Sequence, residues 1–128
     1  MREEVTYVEK GIVCAVEDSL TPGILESCGI YDRSRIVIAG AQDIPEFQNI
    51  LQCKGHFNSR KLETDLVKIA KELVAGHPEI GALLIECSDM PPYAWAVQNA
   101  VQRPVFDYVT LINWVYQAVV RRPFSGYV

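Results

Sequence analysis

Residues 80–87, IGALLIEC, form an almost unbroken apolar run between a glycine–proline stop (Gly76, Pro78) and the polar turn residues Ser88 and Asp89. A strand with one wet face alternates polar and apolar side chains. One that is apolar at consecutive positions has to be covered on both faces, as the central strands of parallel sheets are. That run narrows the chain to folds in which a sheet is packed by helices.

The segments around it agree. GIVCAV (11–16) and RIVIAG (35–40) are short apolar runs rich in small and β-branched residues and read as two further strands. Thr21 followed by Pro22 predicts a capped helix over 22–28 that Gly29 stops. Apolar residues at 44, 47, 50 and 51 predict a helix over 45–51. Those at 62, 66, 69, 70, 73 and 74 mark one face of an amphipathic helix from Ser59 to Ala75, ended by Gly76 and Pro78. PPYAWAVQNAV (91–101) predicts a helix in which Tyr93 and Trp95 pack. A short strand near 104–106 follows, then a last helix, TLINWVYQAVVRR (110–122), stopped by Pro123. Strands alternating with helices imply right-handed parallel crossovers. The expected fold is therefore α/β, a single three-layer sandwich lobe over residues 1–128 with a mostly parallel sheet of about four strands.

Composition bounds the function. At 128 residues the chain is one domain of ordinary size, and 49% hydrophobic with 22% charged residues is a globular composition. A net charge of −4, with basic residues in no run longer than a pair such as Arg121-Arg122, argues against nucleic acid as a partner. The charged start MREEVTYVEK lacks a signal core, and no run approaches a membrane span, so no membrane partner and a cytoplasmic location are expected. In that setting Cys14, Cys28, Cys53 and Cys87 read as free thiols.

Neither a dinucleotide fingerprint nor a phosphate loop occurs. Cys53 and His56 form a C-x-x-H pair with no second pair at zinc spacing, so no metal is expected, and no Ser-His-Asp order is legible. In a parallel sheet, ligands bind beyond the carboxyl ends of the strands, here near 16–19, 40–43, 87–91 and 107–110. Cys87 stands on that edge, and two readings of it hold side by side. A thiol at a helix start feels backbone N–H groups that favour thiolate, while Glu86 and Asp89 oppose it. A free cysteine at a strand end is also an ordinary core residue, as Cys14 is expected to be. Ser88 can cap the following helix, and Asp107 and Thr110 can be the N-terminal signals of the last one.

Three landmarks carry a family resemblance: GIVCAVEDSLTPGILESCGI (11–30), IVIAGAQDIPEF (36–47), and LLIECSDMPPYAWAVQ (83–98) followed by RPVFDYVTLIN (103–113). The chain resembles the C-terminal half of the aspartate/glutamate racemase family. That resemblance implies a cofactor-independent amino-acid racemase-like isomerase, with one cysteine per lobe moving a proton on opposite faces of one carbon. Cys87 would be the acid/base of this lobe, with Ser88, Asp89 and Asp107 as substrate contacts and a small carboxylic or amino-acid ligand. The alternative is a noncatalytic carboxylate-binding or interaction module derived from that lobe. The resemblance also implies a lobe preceding residue 1, so the chain is expected to be incomplete alone. The last helix, apolar around most of its circumference, is then covered by a second chain: a homodimer or a separately encoded first lobe.

Overall fold

The computed structural model describes residues 9–126; residues 1–8, on which the reading of the charged N-terminus rests in large part, lie outside them, as do 127 and 128. Four strands form one sheet: β1 (Glu9–Cys14), β2 (Ile36–Gly40), β3 (Ile80–Ile85) and β4 (Val105–Phe106). Their order is β2-β1-β3-β4, and every neighbouring pair is parallel. Among the described residues the α/β class and the four parallel strands follow from the apolar runs as predicted. Five α-helices lie among the described residues: α1 (Pro22–Ser27), α2 (Pro45–Leu51), α3 (Ser59–Gly76), α4 (Ala94–Val101) and α5 (Tyr108–Val119).

Local chemistry sets the ends of these elements. The Thr21 hydroxyl accepts the Ile24 N–H at 3.3 Å, and Pro22 opens α1 where its missing N–H costs nothing. Asn58 caps α3 through the Lys61 N–H at 3.1 Å. Gln102 closes α4 in the left-handed region (φ 52°). Strand β3 ends at Ile85, two residues before its predicted end, because from Cys87 the chain turns and the Met90 N–H reaches back to the Cys87 carbonyl at 3.3 Å. The next α-helix starts only at Ala94, after a single 3-10 turn over Pro91–Tyr93. Similarly, α5 stops at Val119, short of the arginines.

The principal core lies between the sheet and the layer of α2, α3 and α4. Leu62, Leu66, Ala70 and Leu73 of α3 meet Val13, Leu83 and Ile85 of the central strands, with Phe47 of α2 and Val97 and Val101 of α4 closing the sides. Gly11 permits this approach, since a Cβ there would collide with the Leu83 side chain and lie 3.0 Å from that of Leu73. Tyr93 packs as expected and its hydroxyl meets that of Ser59 at 3.0 Å. Trp95 does not pack; it is 75% exposed on the outer face of α4.

The alternate side chains of the strands point the other way. Ile12, Ile36, Ala82, Leu84 and Phe106, with Ile30, line an apolar groove of about 280 Å³ on that face. Leu84 and Phe106 are exposed, and α5 has no buried residue at all. Phe47→Ala, which empties the fully buried ring site, is expected to cost ~3–5 kcal/mol in denaturant unfolding, whereas Trp95→Ala should stay within about 0.5 kcal/mol.

Candidate functional site

From β1 the chain crosses to β2 on one side, and from β3 to β4 on the other. The sheet therefore reverses its winding between β1 and β3, and the crevice beyond their carboxyl ends is where such sheets take ligands. Cys14 is the last residue of β1, and Glu86 and Cys87 directly follow β3. The Glu86 N–H donates to the Val13 carbonyl at 2.9 Å, carrying the ladder one residue past β3 and fixing the two thiol-bearing ends side by side. From the β2 side the Ala41 N–H donates to the Cys14 carbonyl at 2.9 Å. The Gln42 side chain accepts the Glu17 N–H at 3.1 Å, which ties the loops after β1 and β2 together.

Both thiols are held protonated. Cys14 is fully buried, points its thiol at the Ala39 carbonyl at 3.7 Å, and is pushed up to about 11 by burial first and then by the Glu86 and Glu17 carboxylates. Cys87 is half-buried against the α3-side core, and burial raises it as well. The Asp89 backbone N–H opposes that rise, while the carboxylates of Asp89 and Glu86 add to it. The Cys87 Sγ stands 3.9 Å from Asp89 Oδ2. A helix start does not offset this, because the turn over 88–90 and the 3-10 turn separate Cys87 from α4. Acidic surroundings and burial win, and a positive charge brought to the crevice would reverse them.

Of the residues singled out by sequence, Cys87, Ser88 and Asp89 share one turn, with Ser88 and Asp89 exposed. Ser88 does not cap the following helix: Met90 holds the cap position, without a side-chain cap bond. Asp107 is buried and engaged in a capping box, its Oδ1 accepting the Thr110 N–H at 2.8 Å while the Thr110 hydroxyl accepts the Asp107 N–H at 3.1 Å. It also borders a cleft of about 660 Å³ between the β3–β4 edge and α5, walled by Glu86, Phe106, Tyr108, Leu111 and Trp114. Cys87 follows Glu86 in sequence but does not line that cleft; it packs against the α3-side core. The sequence named Glu86 as a charge beside Cys87 but not as a wall of this cleft, and it did not point to the aromatic wall. The signal for Glu86 was the period of two, which turns it away from the core with Leu84.

Among the described residues no group of three or more His, Cys, Asp or Glu side chains converges on a metal-sized site. His56 Nδ1 faces the Lys54 carbonyl at 3.1 Å, and Cys53 is exposed in the same loop. No described helix is long and apolar enough to cross a membrane.

The fold and its edge define a parallel α/β lobe with two thiols at the winding reversal and acidic side chains around them. Proteins similar to it carry one activity in their names. The chain is 34% identical over 113 residues to dimethylsulfoniopropionate lyase 7 of Emiliania huxleyi (strain CCMP1516), covering 80% of this chain and 31% of that protein. Dimethylsulfoniopropionate lyase 5 of the same strain is 32% identical over 95 residues, 74% of this chain and 19% of its own length. A dimethylsulfoniopropionate lyase of Durusdinium sp. clade D is 29% identical over 104 residues, 80% and 34% of the two chains. The chain thus spans about a third or less of these relatives. No protein-family model matches it, and no solved structure does.

These relatives correct the expectation drawn from the racemase resemblance. They are named as lyases, no racemase family is indicated, and the amino-acid isomerase assignment falls with it. The noncatalytic module gains no better support from them. Asp89→Asn, which removes a carboxylate that raises the Cys87 thiol, is expected to move the midpoint of Cys87 alkylation to lower pH. Cys14 should stay unreactive in the folded chain until the pH nears 11. Mass spectrometry of iodoacetamide-treated protein across a pH series reads both.

Proposed function

We propose that this chain forms a catalytic lobe of a dimethylsulfoniopropionate lyase-like enzyme, with Cys87 as its base. The observation that carries this is the similarity, at 34% identity over most of the chain, to proteins bearing that name. The chemistry is a β-elimination. Cys87 thiolate takes a proton from the carbon beside the substrate carboxylate, the C–H electron pair becomes the new C=C bond, and the C–S bond breaks with its pair leaving on sulfur. Acrylate and neutral dimethyl sulfide result, and the thiol later returns its proton to water. Racemisation needs two acid/base groups on opposite faces of one carbon, whereas elimination needs one base on one face. A single cysteine-bearing edge meets that lesser demand.

The charge of the surroundings suits such a substrate. A sulfonium is cationic and flanked by methyl groups, and Glu86 with the aromatic wall of Phe106, Tyr108 and Trp114 offers the carboxylate and ring faces that attract it. Seated there, the cation would offset Asp89 and Glu86 and bring the Cys87 thiol down toward ionisation. Ser88, with its exposed hydroxyl, is the proposed contact for the substrate carboxylate, and Asp107 holds the cleft's rim through its capping box. A cytoplasmic location accompanies this reading, supported by four free thiols; thiol trapping in fractionated cells tests it.

The test is release of dimethyl sulfide from dimethylsulfoniopropionate, followed by headspace gas chromatography. Cys87→Ala is expected to lose ~10²–10⁴-fold in rate. Because the base is the deprotonated thiol and its pKa is raised, the rate should climb as pH rises from neutral toward that pKa. A folded chain that releases no more dimethyl sulfide than its Cys87→Ala variant overturns the assignment.

A further inference from the structure

Helix α5 has two properties that rarely coincide on a free surface. From Tyr108 to Val120 it carries no charged residue, and none of its side chains is buried: Leu111 and Ile112 are 56% exposed, Trp114 72% and Val119 76%. With the neighbouring Leu84 and Phe106 it leaves on the order of 1,000 Å² of apolar side chain in water, more than the ~800 Å² per partner of a standard stable interface. At 12 residues the helix is ~18 Å long, and because its apolar residues run around most of its circumference, one partner helix along it covers one of its faces.

The charges at its two ends say which partner fits. Its start borders the cleft that Glu86 lines, and just past its end come Arg121 and Arg122, both exposed. A second copy laid parallel would set acid against acid and arginine against arginine. Laid antiparallel about a two-fold axis near Trp114–Val115, it sets residue 121 of one copy opposite residue 108 of the other, so each basic end meets an acidic one. We infer that α5 pairs antiparallel with α5 of a second copy of this chain, and that Arg121 and Arg122 of each copy complete the Glu86–Cys87 edge of the other.

The pairing supplies what the lobe lacks. The segments at the strand tips, 14–19, 40–44, 86–91 and 107–110, contain no Lys or Arg. A carboxylate-bearing substrate needs a cation to orient it, and a guanidinium does so with two parallel hydrogen bonds. This role of the arginines rests on the lyase reading; the pairing does not, since the strip and the end charges stand without any substrate.

Sedimentation equilibrium of the full chain at tens of micromolar is expected to give twice the 14.4 kDa of one copy. Trp114→Glu should give a single copy with unchanged far-UV circular dichroism, and Val119→Lys, at the most exposed position of the strip, should do the same if the first variant misfolds. Reversing the basic end (Arg121→Glu with Arg122→Glu) should weaken the dimer tenfold or more, as should Glu86→Lys. All three changes in one chain should restore it, because the charges are exchanged between copies. A wild-type chain that sediments singly, or binds only a different polypeptide, overturns the pairing, as does a dimer indifferent to Trp114→Glu. A dimer that charge exchange does not restore overturns the placement of the arginines. A dimer that forms as described yet releases no dimethyl sulfide keeps the pairing and removes the lyase reading, so the two fail separately.

Discussion

The parallel pairing of β1 with β3 is the constraint on which everything else hangs. Each strand is apolar on both faces, so neither can lie at a wet edge, and the sheet has to extend outward from them in both directions. Extending outward to β2 on one side and β4 on the other produces the reversal of winding between them, and that reversal opens the crevice. The last ladder bond, from Glu86 to Val13, then sets the ends of β1 and β3, with Cys14, Glu86 and Cys87, side by side.

What those groups can do follows from electrostatics more than from their identities. Two half- or fully buried thiols beside carboxylates stay neutral, because burial and like charge both disfavour the thiolate. An edge of this kind suits cationic ligands better than simple anions, and a cation is also the agent that would free the base. In the proposed function, fit to a sulfonium and activation of Cys87 are one interaction. The electrostatics are also at odds with a dicarboxylic amino-acid substrate, for which the strand tips hold no Lys or Arg.

The outer face of the sheet and α5 are the other half of the molecule's logic. The same period of two that sends Val13, Leu83 and Ile85 into the core sends Ile12, Leu84 and Phe106 to the opposite side, where Ile12 is buried but Leu84 and Phe106 stay exposed. A helix without charge and without a buried residue, standing beside that face, is a surface whose energy is lowered only by another surface. The relatives are about three or more times longer than the region they share with this chain.

The sequence by itself determined the elements and their class. Apolar runs of strand length, the Thr21–Pro22 start of α1 and the face of α3 from Leu62 to Val74 are local signals, and each was legible from neighbouring residues alone. It also pointed to Cys87, since a strand's end can be read from where its apolar run stops. The opposing carboxylates of Glu86 and Asp89 were legible beside Cys87, but its burial and surroundings were not. The chain turned before the helix began, so Ser88 capped nothing. Cys14 came into play through pairing between residues far apart in sequence. Trp95 turned outward because the rotation of α4 on the core is set by Val97 and Val101, which no periodicity within its few turns could fix in advance. Local pattern determines which residues are strand or helix, because those preferences act between neighbours. Only tertiary packing decides which charges meet, because a pKa depends on distance and burial and not on order along the chain.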